Sequence, residues 1–165
     1  MSSFATEIQE WSTPLLGAYL LWRFTQGYES VGERRSPEFL FHFVVLPIVE
    51  SPELARPIHP LRKDFSSYVR SFAKDGKMDV LAKLNDKVFQ QRLNTLRALD
   101  IGSATRLFEW KDGMTRLHAT RQNEGEIAIV LSDSIRRLGV KAFRFGTWTA
   151  FVDLPVFTGL LGVQL

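Results

Sequence analysis

The sequence predicts a mainly α-helical protein of the α+β class, a helical domain containing a winged-helix-like segment with a two-stranded β-hairpin wing. Three observations carry that expectation. Apolar residues recur at helical spacing in several stretches, as in Phe65, Tyr68, Val69 and Phe72. Capping residues, prolines and glycines punctuate those stretches where helices start and stop. Lys111-Asp112-Gly113 lies between two short runs, 104–110 and 114–119, which is a strong short-range hairpin signal.

The elements follow in order. Ser12-Thr13-Pro14 supplies a capping hydroxyl and a first-turn proline. Leu15 to Phe24 (LLGAYLLWRF) is apolar almost all round, as in a helix buried on most sides or forming half of an interface. Gly27 predicts its stop, and residues 29–37 read as a polar loop. Ser36 suits an N-cap before Pro37-Glu38, and PEFLFHFVVLPIV reads as a buried helix broken near Pro47. Its β-branched and aromatic content equally suits a strand. Pro47, Pro52, Pro57 and Pro60 make a rigid connector with one short turn at 52–56. Asp64 is the expected cap of a helix that ends at Asp75-Gly76. Residues 78–100 read as one long amphipathic helix or two in succession, with a restart at Asn85-Asp86. The apolar positions there are Val80, Leu81, Leu84, Val88, Phe89, Leu93, Leu96 and Leu99. After the hairpin, 126–138 reads as a helix ended by Gly139. Residues 141–152 read as another, broken by Asp153-Leu154-Pro155, and VFTGLLGVQL as a short apolar tail. The expected organisation is a single domain: an apolar helical part (1–60), a winged-helix-like part (61–122, hairpin 104–119) and C-terminal helices packing back (123–165).

Composition narrows the function. With 165 residues, 45% hydrophobic and 24% charged, the chain can bury a core without staples. It has no cysteine, which excludes a disulfide scaffold, thiolate metal sites and a cysteine nucleophile. His42, His59 and His118 are not at metal-ligand spacing. No phosphate-binding loop, nucleophile elbow or zinc-protease motif is present, and the carboxylates Asp75, Asp79, Asp86 and Asp100 are interleaved with lysines. No catalytic, cofactor or metal residue is therefore assigned, and the expectation is a non-enzyme. His42 reads as a core histidine and His118 as solvent-facing. The opening MSSFATEIQEW lacks a basic n-region and no apolar stretch is long enough to span a bilayer, so the expected location is cytoplasmic.

The net charge of +3 is unevenly divided. Residues 1–60 carry four basic and seven acidic side chains (−3), and residues 61–165 carry seventeen and eleven (+6). The order helix, break, helix, hairpin over 79–119 is that of a winged helix, which can set its second helix in a major groove and its wing on the backbone. The candidate second helix, 87–99, carries Arg92 and Arg97. The candidate wing carries Arg106, Lys111 and Arg116. These five are the candidate DNA contacts. The thin polar face of that helix and the packing residues Phe108, Trp110, Met114 and Leu117 point instead to protein docking, and both readings stand. Trp22, Phe41, Phe43, Trp148 and Phe151 are the candidate packing or interface residues of the apolar ends.

Three stretches carry a resemblance. TPLLGAYLLWRF, then FHFVVLPIVESPELARPI, then KAFRFGTWTAF with PVFTGLLGVQL together cover nearly the whole chain. They resemble the middle component of three-component ABC systems, the family that includes the small subunit of Lamassu-type bacterial defence systems. The first is similar to that family's proline-plus-apolar opening. The second is similar to its Val-Leu-Pro element followed by a polar segment, an arginine and a proline. The third is similar to its Ala-x-x-x-Gly-x-Trp helix and closing Leu-Gly-Val. The chain departs from the pattern at Ser12-Thr13, where an asparagine precedes the proline, and at Thr149, where an aromatic is common. The resemblance implies a non-catalytic subunit in antiphage defence. It would bridge a dimeric ABC ATPase similar to structural-maintenance-of-chromosomes (SMC) proteins, which senses DNA, and an effector, frequently a nuclease, held under control. It further implies no small-molecule substrate and, if any, DNA contact within the complex. The residues alone leave a DNA-binding winged-helix transcriptional regulator as the alternative.

Overall fold

Helix α1 (Pro14–Ser30) is the element on which the others assemble, in contact with α2 (His42–Val49), α6 (Leu84–Ala104), α7 (Asp133–Thr149) and strand β2 (Arg116–Ala119). The computed structural model describes residues 14–31, 35–120 and 131–165; Ser12 and Thr13 of the expected cap lie outside them. The helix does not stop at Gly27. Helix α7 (Asp133–Thr149) crosses it there. A Cβ on Gly27 would overlap the Phe143 carbonyl, and one on Gly146 would overlap the Phe24 carbonyl. Gly139 is likewise not a stop: it lies under the Tyr19 ring, where a Cβ would sit 2.5 Å from the hydroxyl oxygen. A single helix therefore replaces the two expected over 126–152. It begins after Ser132, whose hydroxyl accepts from the Ile135 amide, while 126–130 lie outside the described residues. Glycines that read as helix stops are here the places where two backbones meet, because only hydrogen at Cα leaves room.

Ser36 does not cap a helix. Residues 37–39 instead run beside β2, with the Leu117 amide donating to the Pro37 carbonyl (3.1 Å) and the Phe39 amide to the Thr115 carbonyl (2.9 Å). A 3-10 turn (Phe39–Phe41) then leads into α2 (His42–Val49). That helix passes through Pro47 and ends two residues later, and all eight of its residues are buried, as its uniformly apolar sequence requires. The proline connector holds one short helix, α3 (Pro52–Ala55). Its backbone is clamped from three sides. Lys141 Nζ donates to the Ala55 and Ile58 carbonyls (2.9 and 2.8 Å), Arg62 Nε to Pro57 (3.0 Å), and the Tyr68 hydroxyl to Leu54 (2.9 Å).

Helix α4 (Phe65–Lys74) starts as expected at Asp64, whose carboxylate accepts from the Ser67 amide at 2.6 Å. It ends at Gly76 in the left-handed region, with the Lys77 amide closing on the Phe72 carbonyl. Helices α5 (Met78–Ala82) and α6 (Leu84–Ala104) are two in succession, but the break is at Lys83 rather than Asn85-Asp86. The hairpin pairs β1 (Phe108–Lys111) with β2 (Arg116–Ala119) across a 112–115 loop, Lys111 opposite Arg116. The fold is thus mainly helical with one antiparallel hairpin, and the helix, break, helix, hairpin order is present. Its long helix packs on α1 and α2, so the winged-helix-like elements share the core of the remainder. The apolar tail is a helix, α8 (Leu154–Leu161), with Asp153 at the N-cap, Pro155 in the first turn and Gly162 in the left-handed region. One continuous core runs from Ala18 to Val163.

Candidate functional site

The candidate packing and interface residues separate into two groups. Trp22, Phe41, Phe43 and Trp148 are interior. Trp22 donates its indole N–H to the Thr120 carbonyl (2.9 Å), Phe41 packs edge-on to Phe157 at 5.0 Å, and Trp148 lies beside Tyr68. Side chains packed in this way support the fold from within. Phe151 is different. It sits where α7 turns into α8 and is 75% exposed.

Phe151 belongs to an apolar face. Helix α8 buries Phe157 and Leu161, one turn apart, with Phe157 stacked on Phe65 at 5.0 Å. That leaves Val156 and Leu160 on the adjacent side, exposed, with Leu165 beyond them. Residues 154–165 contain no charged side chain. A Cβ placed on Gly159 or Gly162 would meet nothing, so no other part of the described chain covers the helix there. Beside it opens a cleft of about 640 Å³ between the end of α1 and the α7–α8 turn, lined by Tyr28, Arg35, Phe41, Arg116, Phe151 and Pro155. Surfaces of this kind mark protein interaction sites.

The five candidate DNA contacts are not equivalent. Arg116 is two-thirds or more buried and engaged by protein acceptors: the Ser36 carbonyl (2.7 Å), Asp112 (3.6 Å) and Glu38 (3.7 Å). It locks residues 36–38 to the hairpin. Lys111 pairs with Glu109 at 3.2 Å. Arg92, Arg97 and Arg106 are exposed and have no ion-pair partner among the described residues. Arg92 lies over the Phe89 ring at 5.0 Å, and Arg106 adopts a left-handed backbone at the entry to the hairpin.

The titratable groups of the interior are structural. His42 is fully buried. Its Nδ1 donates to the Phe39 carbonyl (3.1 Å), and its Nε2 accepts from the Thr25 hydroxyl (2.8 Å). The carbonyl can only accept, which assigns the single proton to Nδ1. Burial pushes its pKa down to about 4. His118 does not simply face solvent: its Nδ1 is 2.8 Å from Glu29 Oε2, and Glu29 Oε1 accepts from the Ala119 amide at 2.9 Å. Burial raises the Glu29 carboxyl, opposed by those same contacts. Among the described residues, no group of three His, Cys, Asp or Glu could hold a metal ion, and no helix is long and apolar enough to cross a membrane.

One face was missed by the sequence reading. Phe89, Leu93 and Leu96 count among the apolar positions of the amphipathic segment together with Leu84 and Val88, yet they are 68%, 66% and 46% exposed. The signal was available: positions 84, 88, 95, 98, 99 and 102 already complete one side of a helix, and 89, 93 and 96 fall on the other.

A family model described as ABC-three component (ABC-3C) system Middle Component 3 matches residues 1–165. No curated protein and no solved structure matches the chain.

Proposed function

The chain belongs to the ABC-three component system middle component 3 family, and we propose that it serves there as a non-catalytic docking subunit between the other components. As a middle component it is one part of a three-part ABC system and interacts with the other parts. The finer reading is that it bridges a DNA-sensing, SMC-like ATPase dimer and a nuclease effector, keeping the effector controlled in a Lamassu-type antiphage defence complex in the cytoplasm. The exposed apolar side chains of Phe151, Val156 and Leu160 are the observation that supports this most. A chain with a full core and a further apolar face needs something to cover it.

Co-expression with the neighbouring ATPase and effector genes tests the proposal. The tagged chain is expected to retain both. Phe151→Asp with Leu160→Asp is expected to weaken capture of one of them about 30-fold, since central apolar contacts are worth roughly 2 kcal/mol or more. The melting temperature should stay near that of the parent, because both side chains are outside the core. Undiminished capture would reject this face as a docking site.

The alternative, a DNA-binding regulator, is supported by Arg92, Arg97 and Arg106, exposed and without an ion-pair partner among the described residues. It predicts retardation of duplex DNA at low salt, lost on alanine substitution of those three and suppressed by added salt. An isolated chain that binds no duplex at low salt excludes it. Arg116 and Lys111, already engaged, are expected to contribute little.

A further inference from the structure

We infer that the exposed stripe of α6 pairs with the same stripe of a second copy of this chain, as an antiparallel helix pair. Phe89, Leu93 and Leu96 are spaced i, i+4 and i+7 and face away from the core that Leu84, Val88, Ala98 and Gly102 join. The occupant is indicated by the charges that flank the stripe. Asp86 and Arg97 lie eleven residues apart, which is three helical turns, so they share one edge of the stripe at its two ends. Neither has an ion-pair partner among the described residues.

A twofold axis midway between positions 91 and 92 satisfies both features at once. In an antiparallel pair each edge faces its own copy. Asp86 then stands opposite Arg97 of the second copy, and Arg97 opposite its Asp86. The same axis interleaves the apolar side chains, with each Phe89 beside Leu93 of the second copy. Such a surface is self-complementary, as a twofold interface requires. Two features oppose it: Arg92 lies on the other edge, close to the axis, and meets its own copy, although each guanidinium is stacked on its own Phe89, and the exposed Asp100, one turn beyond Leu96, brings a carboxylate to the end where Asp86 of the second copy lies. Six large side chains so exposed would withdraw roughly 700 Å² of apolar surface, and the flanking polar groups bring the total to about 1,000 Å². That is the lower end of what a specific interface needs, so the dimer is reversible, with Kd on the order of 10 µM. The pairing uses other residues than the docking face of α8, although the chain end reaches α6 where the Gln164 amide donates to Asn85 Oδ1 (2.8 Å).

Sedimentation equilibrium of the full chain, from about 1 to 200 µM, tests it. The parent is expected to pass from monomer to dimer. Leu93→Asp should be monomeric throughout, and Arg97→Asp should weaken association about tenfold. Adding Asp86→Arg to Arg97→Asp exchanges the two charges and should restore the parent Kd, and Arg92→Gln should tighten it. All these positions are exposed, so unchanged melting temperatures show that the fold is intact. A parent monomeric at every concentration, a dimer indifferent to Leu93→Asp, or a charge exchange that fails to rescue overturns the inference. If the parent stays monomeric and Leu93→Asp loses capture of the ATPase or effector, the stripe belongs to that partner instead.

Discussion

Gly146→Val is expected to leave little folded protein. A Cβ at this position would overlap the Phe24 carbonyl and come within 2.8 Å of the Tyr28 amide nitrogen, both of them backbone atoms of α1. Backbone cannot rotate away as a side chain can, so α1 and α7 must separate along the contact that also includes Gly27 and Gly139. The aromatic cluster of Phe24, Phe145 and Phe157 spans that contact and would open with it. The loss should reach about 4 kcal/mol or more, a large part of the stability of an ordinary domain. Soluble yield and thermal unfolding followed by circular dichroism measure it. Gly159→Ala is the matched control: it is also a helical glycine, but nothing lies near its Cα, and removing glycine from a helix should gain roughly 0.5–1 kcal/mol. Equal melting temperatures for the two variants would show that α1 and α7 do not approach as described.

Acid should destabilise the protein through His42 well before the carboxylates titrate. Its folded pKa of about 4 lies below the ordinary 6.5 because the imidazolium would lose its water among Phe24, Phe108 and α1. The protonated ring could still hydrogen-bond, with Nδ1 to Phe39 and Nε2 to Thr25, whose hydroxyl could turn to the Leu21 carbonyl. Desolvation is therefore the dominant cost. The unfolded chain takes up the proton below pH 6.5 and the folded chain does not until about pH 4. Stability is thus fully present above pH 6.5 and falls as the pH drops through that window, by about 2 kcal/mol between pH 7 and 5 from this residue. Urea midpoints at pH 7, 6 and 5 follow the slope. His42→Gln should lower stability at pH 7 and flatten the slope; a variant as pH-dependent as the parent would place the dependence elsewhere.

Several elements were legible because their signals are local. The Asp64 cap, the Gly76 stop and the hairpin around Asp112-Gly113 each depend on a few adjacent residues whose backbone preferences act whatever surrounds them. Helix α8 could have been read in the same way, since Asp153-Leu154-Pro155 and Gly162 repeat the start and stop signals used elsewhere. The exposed stripe of α6 was hidden. Its apolar residues occupy two faces of one helix, and a plain tally of hydrophobic positions does not separate them.

What the sequence alone determined is the class and the kind of protein: helices punctuated by caps and glycines, one hairpin, a chain without the residues of a thiol or clustered-histidine site, and the family to which its three apolar stretches point. Those follow from composition and from neighbours along the chain. Only the tertiary structure decided which glycines end helices and which let helices touch, and which aromatics fill the core and which face outward. It also decided which arginines are free and which are held by carboxylates. Gly27, Phe151 and Arg116 look no different in the sequence from Gly76, Phe41 and Arg97. Their roles are set largely by residues far away along the chain, such as Phe143 for Gly27 and Ser36 and Glu38 for Arg116, or by the absence of any neighbour, and no local preference encodes either.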